Sequence, residues 1–230
     1  MKRSMINTIM RRADDFIRAR GYYLPPFAYW TPAEWRARGP EAREIVEAGM
    51  GWDITDFGKG DFERYGLFLF TVRNGRPQNW ARRSGKLYCE KLLIAEDGQA
   101  TPMHFHWAKM EDIINRGGGA LAIQLYNAAP DDSLAETPVR VSLDGVEREL
   151  PAGTTLRLAP GESITLPQRL YHTFWAEGGT ALIGEVSLVN DDTADNRFLE
   201  DIGRFPAIQE DEPPLYLLVT DYAAYYGKPA

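Results

Sequence analysis

Gly98-Gln-Ala-Thr-Pro-Met-His104-Phe-His106-Trp-Ala-Lys109-Met-Glu111-Asp-Ile-Ile-Asn-Arg-Gly-Gly118 holds two of the chain's three histidines. The third closes a second stretch, Gly161-Glu-Ser-Ile-Thr-Leu-Pro167-Gln-Arg-Leu-Tyr-His172. Imidazole is the commonest metal-binding side chain, and a divalent site of nitrogen and oxygen donors needs several ligands on one cavity wall. His104 and His106, separated by a single residue, project from the same face of a strand. Glu111 lies an odd number of residues beyond His106, so it needs a turn or bulge to face the same spot. Trp107-Ala-Lys-Met110 is expected to supply that turn.

This layout resembles the cupin family, small antiparallel β-barrels with the motifs G-x5-H-x-H-x4-E-x6-G and G-x5-P-x-G-x2-H-x3-N. The first motif is met at every fixed position from Gly98 to Gly118. The second is met at Gly161, Pro167 and His172, but Arg169 stands in place of its second Gly and Ala176 in place of its Asn. The departures leave the ligands intact and bear on the turn before His172. Against this stands a reading of three unrelated structural histidines. All three falling on one four-ligand template favours a metal site formed by His104, His106, Glu111 and His172.

At 230 residues, 44% hydrophobic and 26% charged, the chain has the composition of an ordinary globular protein with room for one substantial barrel. A net charge of −7 argues against a nucleic-acid partner, whose phosphates require a basic face. Cys89 is the only cysteine, so no internal disulfide is available and a reducing, cytoplasmic location is expected; its apolar surroundings fit a small buried hydrophobe. The initial Met-Lys-Arg is not followed by an apolar leader core, because Arg11, Arg12, Asp14 and Asp15 intervene. No run approaches the ~20 apolar residues of a membrane span.

Residues 4–20 read as an amphipathic helix, with Ser4 as cap, a stripe of Ile6, Ile9, Met10, Ala13, Phe16 and Ile17, and Gly21 as stop. Thr31-Pro-Ala-Glu34 is a capping box with proline at the first helical position, and predicts two short helices over about 32–49. From Gly66 onward strand-like runs dominate: 66–75, 86–95, 100–106, 110–115, 119–126, 138–143, 146–150, 154–158, 163–166, 171–176 and 181–189. Leu143-Asp-Gly-Val146 signals a two-residue hairpin. The reading is a mainly β, single-domain cupin jelly-roll. It assigns residues 1–60 to a helical extension, 61–200 to the barrel and 201–230 to a C-terminal wrap.

Outside the motifs, Leu24-Pro-Pro-Phe-Ala-Tyr-Trp30, Gly51-Trp-Asp-Ile-Thr-Asp-Phe57, Met103–Trp107, Met110–Gly119, Val189-Asn-Asp-Asp192 and Asp195-Asn-Arg-Phe198 are similar to the bacterial D-lyxose isomerases over nearly the whole chain. The resemblance implies a cytosolic, dimeric aldose–ketose isomerase acting on D-lyxose and often D-mannose. It also implies manganese at the four ligands, although donors of this kind also accept Co²⁺, Fe²⁺, Ni²⁺ or Zn²⁺.

One coherent ligand set favours proton transfer through a cis-enediol over a two-metal hydride shift. Three residues are candidates for the acid and base. Lys109 lies in the turn between two ligands, where a nearby cation would lower its pKa. Glu185 interrupts the apolar run 181–186, and Lys91 is preferred over Glu90 as the inward member of an adjacent pair. The bland reading of each is a solvated or edge residue. Asp191, Asp192, Asp195 and Arg197 form a polar cluster for reading sugar hydroxyls or merely for turns. Phe105 and Trp107 alternate with the histidines and belong to the opposite face; Trp30 and Trp52 fit either place. A sugar-phosphate isomerase using Arg82, Arg83 and Lys86 is the main alternative, followed by an iron dioxygenase and a sugar-sensing cupin.

Overall fold

The computed structural model describes residues 1–228. Its strands are β1 (Gly51–Thr55), β2 (Leu67–Asn74), β3 (Tyr88–Ala95), β4 (His104–His106), β5 (Glu111–Ala128) and β6 (Leu134–Ala135), followed by β7 (Val139–Leu143), β8 (Val146–Leu150), β9 (Thr155–Leu158), β10 (Ser163–Leu166), β11 (Leu170–Leu188) and β12 (Asn196–Phe198). The helices are α1 (Arg3–Ala19), α2 (Pro32–Ala37), α3 (Arg43–Glu47), α4 (Phe62–Tyr65), α5 (Pro77–Arg82) and α6 (Tyr222–Tyr225). Pairing is antiparallel in the order β1-β2-β3-β11-β5-β10-β7-β8, with β4, β9 and β12 extending the other end of the long strands. This is the mainly β cupin barrel that the two motifs imply.

The sequence reading splits β5 and β11 into two strands each, whereas each runs unbroken through the barrel. They pair from Leu170↔Asn127 to Ser187↔Glu111, with register shifts between Glu177 and Ala181 and between Leu182 and Ile183. There the ladder passes from one face of the barrel to the other. Gly118, at φ +104°, permits the crossing: a Cβ would stand 2.0 Å from the Thr180 carbonyl oxygen. The glycines that look like a turn therefore mark a bend within one strand.

β2 has both faces buried. Phe68, Phe70 and Val72 join a cluster with Ile6, Met10, Ile17 and Trp52, whereas Leu67 and Leu69 join the barrel interior with Ile113, Leu121, Ile123 and Ile183. The N-terminal helix thus covers the outside of the sheet with the predicted stripe. Burial of each such large side chain contributes roughly 1.5–3 kcal/mol.

Several local expectations are corrected. Ser4 does not cap α1; the cap position is Lys2, and Ser4 N and Oγ donate to Asp211 at 2.9 and 2.7 Å. A carboxylate from the tail thus satisfies the helix start. Residues 51–55, assigned to the helical extension, are strand β1, paired with β2 and carrying buried Trp52. The expected 100–106 strand is regular only over His104–His106, since Pro102 lacks a ladder donor. The Thr31–Glu34 capping box is present. The tail lies on the N-terminal layer, where Tyr222 Oη donates to Met50 O at 2.6 Å and Tyr226 Oη to Gly39 O at 2.7 Å.

Candidate active site

His104 on β4 faces His172 on β11 as a cross-strand pair, and His106 follows two residues on. Nitrogen atoms of the three rings lie within 4.8 Å of one another. Glu111, the first residue of β5, brings Oε1 to 3.3 Å from His106 Nε2 and 3.2 Å from His172 Nε2. All four sequence-predicted ligands therefore converge on one cavity.

The turn that Glu111 requires is present and is tied down from a distance. Asp195 accepts from Ala108 N at 2.7 Å and Lys109 N at 3.1 Å, while its carbonyl accepts from Trp107 N at 3.1 Å. Asp195 is buried and holds backbone, so it has a different part from the hydroxyl-reading one considered for it. The turn before His172 contains Arg169 at φ +59°, the left-handed conformation for which the motif normally has glycine. Its guanidinium is anchored on Ala129 O and Asp132 Oδ1, both at 2.9 Å, and lies 5.2 Å from the Phe105 and Trp107 ring centroids. Those contacts hold arginine where glycine would fit unaided.

His104 and His106 have the character of neutral imidazoles. His104 Nδ1 lies 2.8 Å from Pro102 O and His172 Nδ1 3.0 Å from Leu170 O. Carbonyl acceptors place the proton on Nδ1 and leave Nε2 with its lone pair. Burial, with the neighbouring His172 and His106, holds His104 well below the usual imidazole range, and burial with Lys109 lowers His106. His106 Nδ1 is buried without a partner among the described residues, so its ring is oriented through Nε2 against Glu111. Burial alone would raise Glu111, yet Lys109 and His106 hold it well below the ordinary carboxylate value. Neutral imidazoles beside an ionised carboxylate match the needs of a divalent cation.

The predicted Lys109, Glu185 and Lys91 adjoin this cluster, and all are buried. Lys109 Nζ lies 2.7 Å from Glu111 Oε2 and 2.9 Å from Glu185 Oε1; Lys91 Nζ lies 3.4 Å from the same Glu185 oxygen. β-Pairing explains the grouping, since Glu185 stands opposite both Lys91 and Ile113. Desolvation opposes the charge on Lys109, but Glu111 and Glu185 outweigh it and raise the pKa. In the protein without metal the lysine is therefore held as an ammonium, the opposite direction from the expected effect of a cation. Burial would raise Glu185, and Lys109 with Lys91 lowers it instead. Glu90, the outward neighbour, pairs with Arg73 and Tyr22.

Sequence reasoning missed Asn190, Arg204 and Asp53. Asn190 Oδ1 accepts from Lys91 Nζ at 2.7 Å and Lys109 Nζ at 3.3 Å, and its Nδ2 donates to Asp192 at 2.9 Å. Arg204 lines the cavity and pairs with Asp53 at 2.6 Å and Asp192 at 3.4 Å. The alternation Trp52, Ile54 against Asp53, Thr55 offers a period-two signal for Asp53. Arg204 lies in an aperiodic loop and gives none. Asp191 caps its own turn at Thr193, and Arg197 donates to the Phe198 carbonyl. Phe105 is fully buried on the opposite face from the histidines, Trp107 is exposed, and Trp52 belongs to the outer core. Arg82, Arg83 and Lys86 do not line the cavity; Lys86 pairs with Glu44.

Comparison with known proteins supplies the family. The D-lyxose isomerase family profile matches residues 1–222. The chain is 49% identical over 228 residues to a D-lyxose/D-mannose isomerase of Serratia proteamaculans, covering 98% of this chain and 99% of that protein. It is 46% identical over 228 residues to one of Escherichia coli O157:H7, covering 98% of this chain and 100% of that protein. In fold it is similar to the unliganded L-ribose isomerase of Cellulomonas parahominis, with TM-score 0.58 and 17% identity over 90% of this chain and 98% of that one. It is likewise similar to the Acinetobacter sp. DL28 L-ribose isomerase in complex with L-ribose, with TM-score 0.57 and 17% identity over 91% and 98%. A cupin barrel, a histidine triad able to hold a metal ion, and near full-length similarity to these relatives agree: the chain belongs to the D-lyxose isomerase family and is an aldose–ketose isomerase.

Proposed function

We propose that this chain interconverts D-lyxose and D-xylulose, and D-mannose and D-fructose, by proton transfer between C1 and C2 through a cis-enediol. The observation that carries this reading is the convergence of three histidines, Glu111 and the Lys109–Glu185 pair on one buried cavity. His104, His106, Glu111 and His172 would hold one divalent ion, Mn²⁺ in this reading. When bound, that ion supplies positive charge for chelating adjacent sugar oxygens and stabilising developing oxyanion character.

The remaining chemistry belongs to the chain. Glu185 is kept ionised by two lysines, and the hydrogen bonds it receives from Lys109 and Ser187 converge on Oε1. Oε2 is then the oxygen that takes the proton from one sugar carbon and returns it to the other. Lys109 gives a proton to the carbonyl oxygen, takes back the proton that leaves the neighbouring hydroxyl as the new carbonyl forms, and balances the charge on Glu185. Lys91 approaches the same Glu185 oxygen and shares Asn190 with Lys109. Lyxose and mannose share C2 and C3 stereochemistry, so an enzyme that grips that end accepts both chain lengths.

A cytoplasmic homodimer is part of the same reading, in keeping with the family resemblance. The lone Cys89 is buried and burial pushes its thiol up to about 12, a reduced residue with no disulfide role. Sedimentation measurements test the dimer.

The decisive assay is a panel of unphosphorylated aldoses and ketoses with manganese-loaded protein, beside their phosphates. Lyxose and mannose should be the best substrates, and a much higher kcat/KM on mannose 6-phosphate would overturn the assignment. Elemental analysis should show metal loss in His104→Ala, His106→Ala, Glu111→Ala and His172→Ala; full occupancy in His172→Ala removes it from the ligand set. Lys109→Ala and Glu185→Gln should each lower kcat by roughly 10²–10⁴ with metal retained. Solvent deuterium should enter C1 of the ketose.

A further inference from the structure

Asp192 and Arg204 line the cavity yet have no part in the proton transfer. Arg204 is held firmly on one side. Its Nη2 donates to Asp53 Oδ2 at 2.6 Å, its Nε lies 3.4 Å from Asp192 Oδ1, and its carbonyl accepts from Thr55 Oγ1 at 2.7 Å. The other terminal nitrogen, Nη1, is buried and has no hydrogen-bond partner among the described residues. An unpaired buried donor is costly, and the two carboxylates prevent the guanidinium from swinging away to find water. This donor wants an acceptor from whatever occupies the cavity.

The connection to the acid–base pair is indirect. Lys109 Nζ reaches Asn190 Oδ1 at 3.3 Å, Asn190 Nδ2 reaches Asp192 Oδ2 at 2.9 Å, and Asp192 then reaches Arg204. With the sugar carbonyl beside Lys109 and Glu185, Arg204 would meet the opposite end of the molecule. A free arginine in such a place would be a receptor for a carboxylate or phosphate. Here the guanidinium is matched before a ligand arrives, and Asp192 in the cavity wall would repel a second anion.

We propose that Arg204 Nη1 donates to a hydroxyl oxygen at the far end of the sugar, and that Asp53 and Asp192 make this contact selective for neutral over anionic sugars. This rests on the reading of the chain as an isomerase of neutral aldoses. It assigns Arg204 to substrate contact, with Asp192 as the charge filter.

D-Mannose and D-mannuronate compare the two cases directly, because they differ in carrying a hydroxymethyl group or a carboxylate at C6. Manganese-loaded wild type should strongly prefer mannose. In Asp192→Asn the preference should shrink by about tenfold or more, through a lower KM for the uronate. Arg204→Lys, which keeps the charge but loses the forked donor, should raise KM for mannose about tenfold with a smaller change in kcat. An unchanged preference in folded Asp192→Asn overturns the charge filter, and an unchanged KM in Arg204→Lys overturns the contact. Should Arg204→Lys fail to fold, wild type tests the contact with 6-deoxy-D-mannose, which lacks the terminal hydroxyl: a KM about tenfold above that of mannose is expected, and an equal KM refutes the contact. Equilibrium titration of Asp192→Asn with mannuronate tests the filter, with tighter binding than wild type expected and equal binding refuting. If wild type isomerises neither lyxose nor mannose, the functional reading falls, while the same titration still tests the filter.

Discussion

Replacing Asp195 with alanine removes a side chain that has no hydrogen bond to an imidazole or to Glu111 among the described residues, yet it should damage the site. Its carboxylate accepts from Ala108 N at 2.7 Å and Lys109 N at 3.1 Å. Hydrogen bonds to a charged acceptor contribute about 1.5–3 kcal/mol each, and a buried donor left unpaired costs about 1–3 kcal/mol. Ala108 is exposed, so its N–H can turn to water; Lys109 is buried, so its N–H cannot. The expected net loss is therefore about 2–4 kcal/mol, mostly at Lys109. At roughly 2–4 °C per kcal/mol for a domain of this size, thermal unfolding should fall by about 5–15 °C.

Asp195→Asn retains one acceptor oxygen and should lose about half as much. Calorimetry measures the stability change, and amide hydrogen exchange should show lost protection at Lys109 N–H. Because the turn places both Lys109 and Glu111, kcat should fall with it while KM changes less. The competing role, a carboxylate reading sugar hydroxyls, makes the opposite forecast. A raised KM with native thermal stability and native protection at Lys109 would refute the positioning argument.

Three further outcomes follow from the same geometry. Gly118→Ala forces a Cβ to 2.0 Å from the Thr180 carbonyl at a φ of +104°; insolubility or a melting point lowered by roughly 10 °C or more is expected, and a shift of under ~2 °C refutes the crossing. Metal-free protein should lose stability as pH drops below about 6.5, because the unfolded chain binds protons that buried His104 and His106 refuse. The slope should approach ~1.4 kcal/mol per pH unit per histidine, and denaturant titrations flat from about pH 7 to about 5.5 would contradict it. Arg169→Gly relieves about 1–2 kcal/mol of left-handed backbone cost but loses the Ala129 and Asp132 bonds, so stability should change by less than ~1.5 kcal/mol. A larger loss would mean that the stacking on Phe105 and Trp107 carries the turn.

The part of the site legible in the sequence is the part encoded by strand periodicity. His104 and His106 share a face because they are two apart, and Glu185 and Lys91 are recognisable as polar interruptions of apolar runs. Cross-strand pairing then puts Lys91 opposite Glu185, a relation no local pattern contains. The glycines at 117–118 and 178–179 fall in the breaks between the expected strands because a sharp strand bend and a turn demand the same backbone freedom; the Thr180 contact separates them. Ser4 reads as a cap because serine near a helix start is a local signal, whereas Asp211 arrives from the far end of the chain. Hidden is the pairing of Asp53 with Arg204, which stand 151 positions apart, the arginine in a loop that carries no period.

That division has a physical origin. A ligand set must present several donors to one point, and the strand supplies this by repetition, which leaves a spacing in the sequence. The residues that orient those donors act singly, each reaching a backbone amide or a charge from a different loop. Asp195 fixes the turn carrying Lys109 and Glu111, Asn190 spans the two lysines, and Arg204 is fixed by Asp53 and Asp192. None needs a fixed offset from the histidines, so none leaves a period to read. Changes at these supports should therefore alter rate, pH response or selectivity while His104, His106, Glu111 and His172, and the motif they form, stay intact.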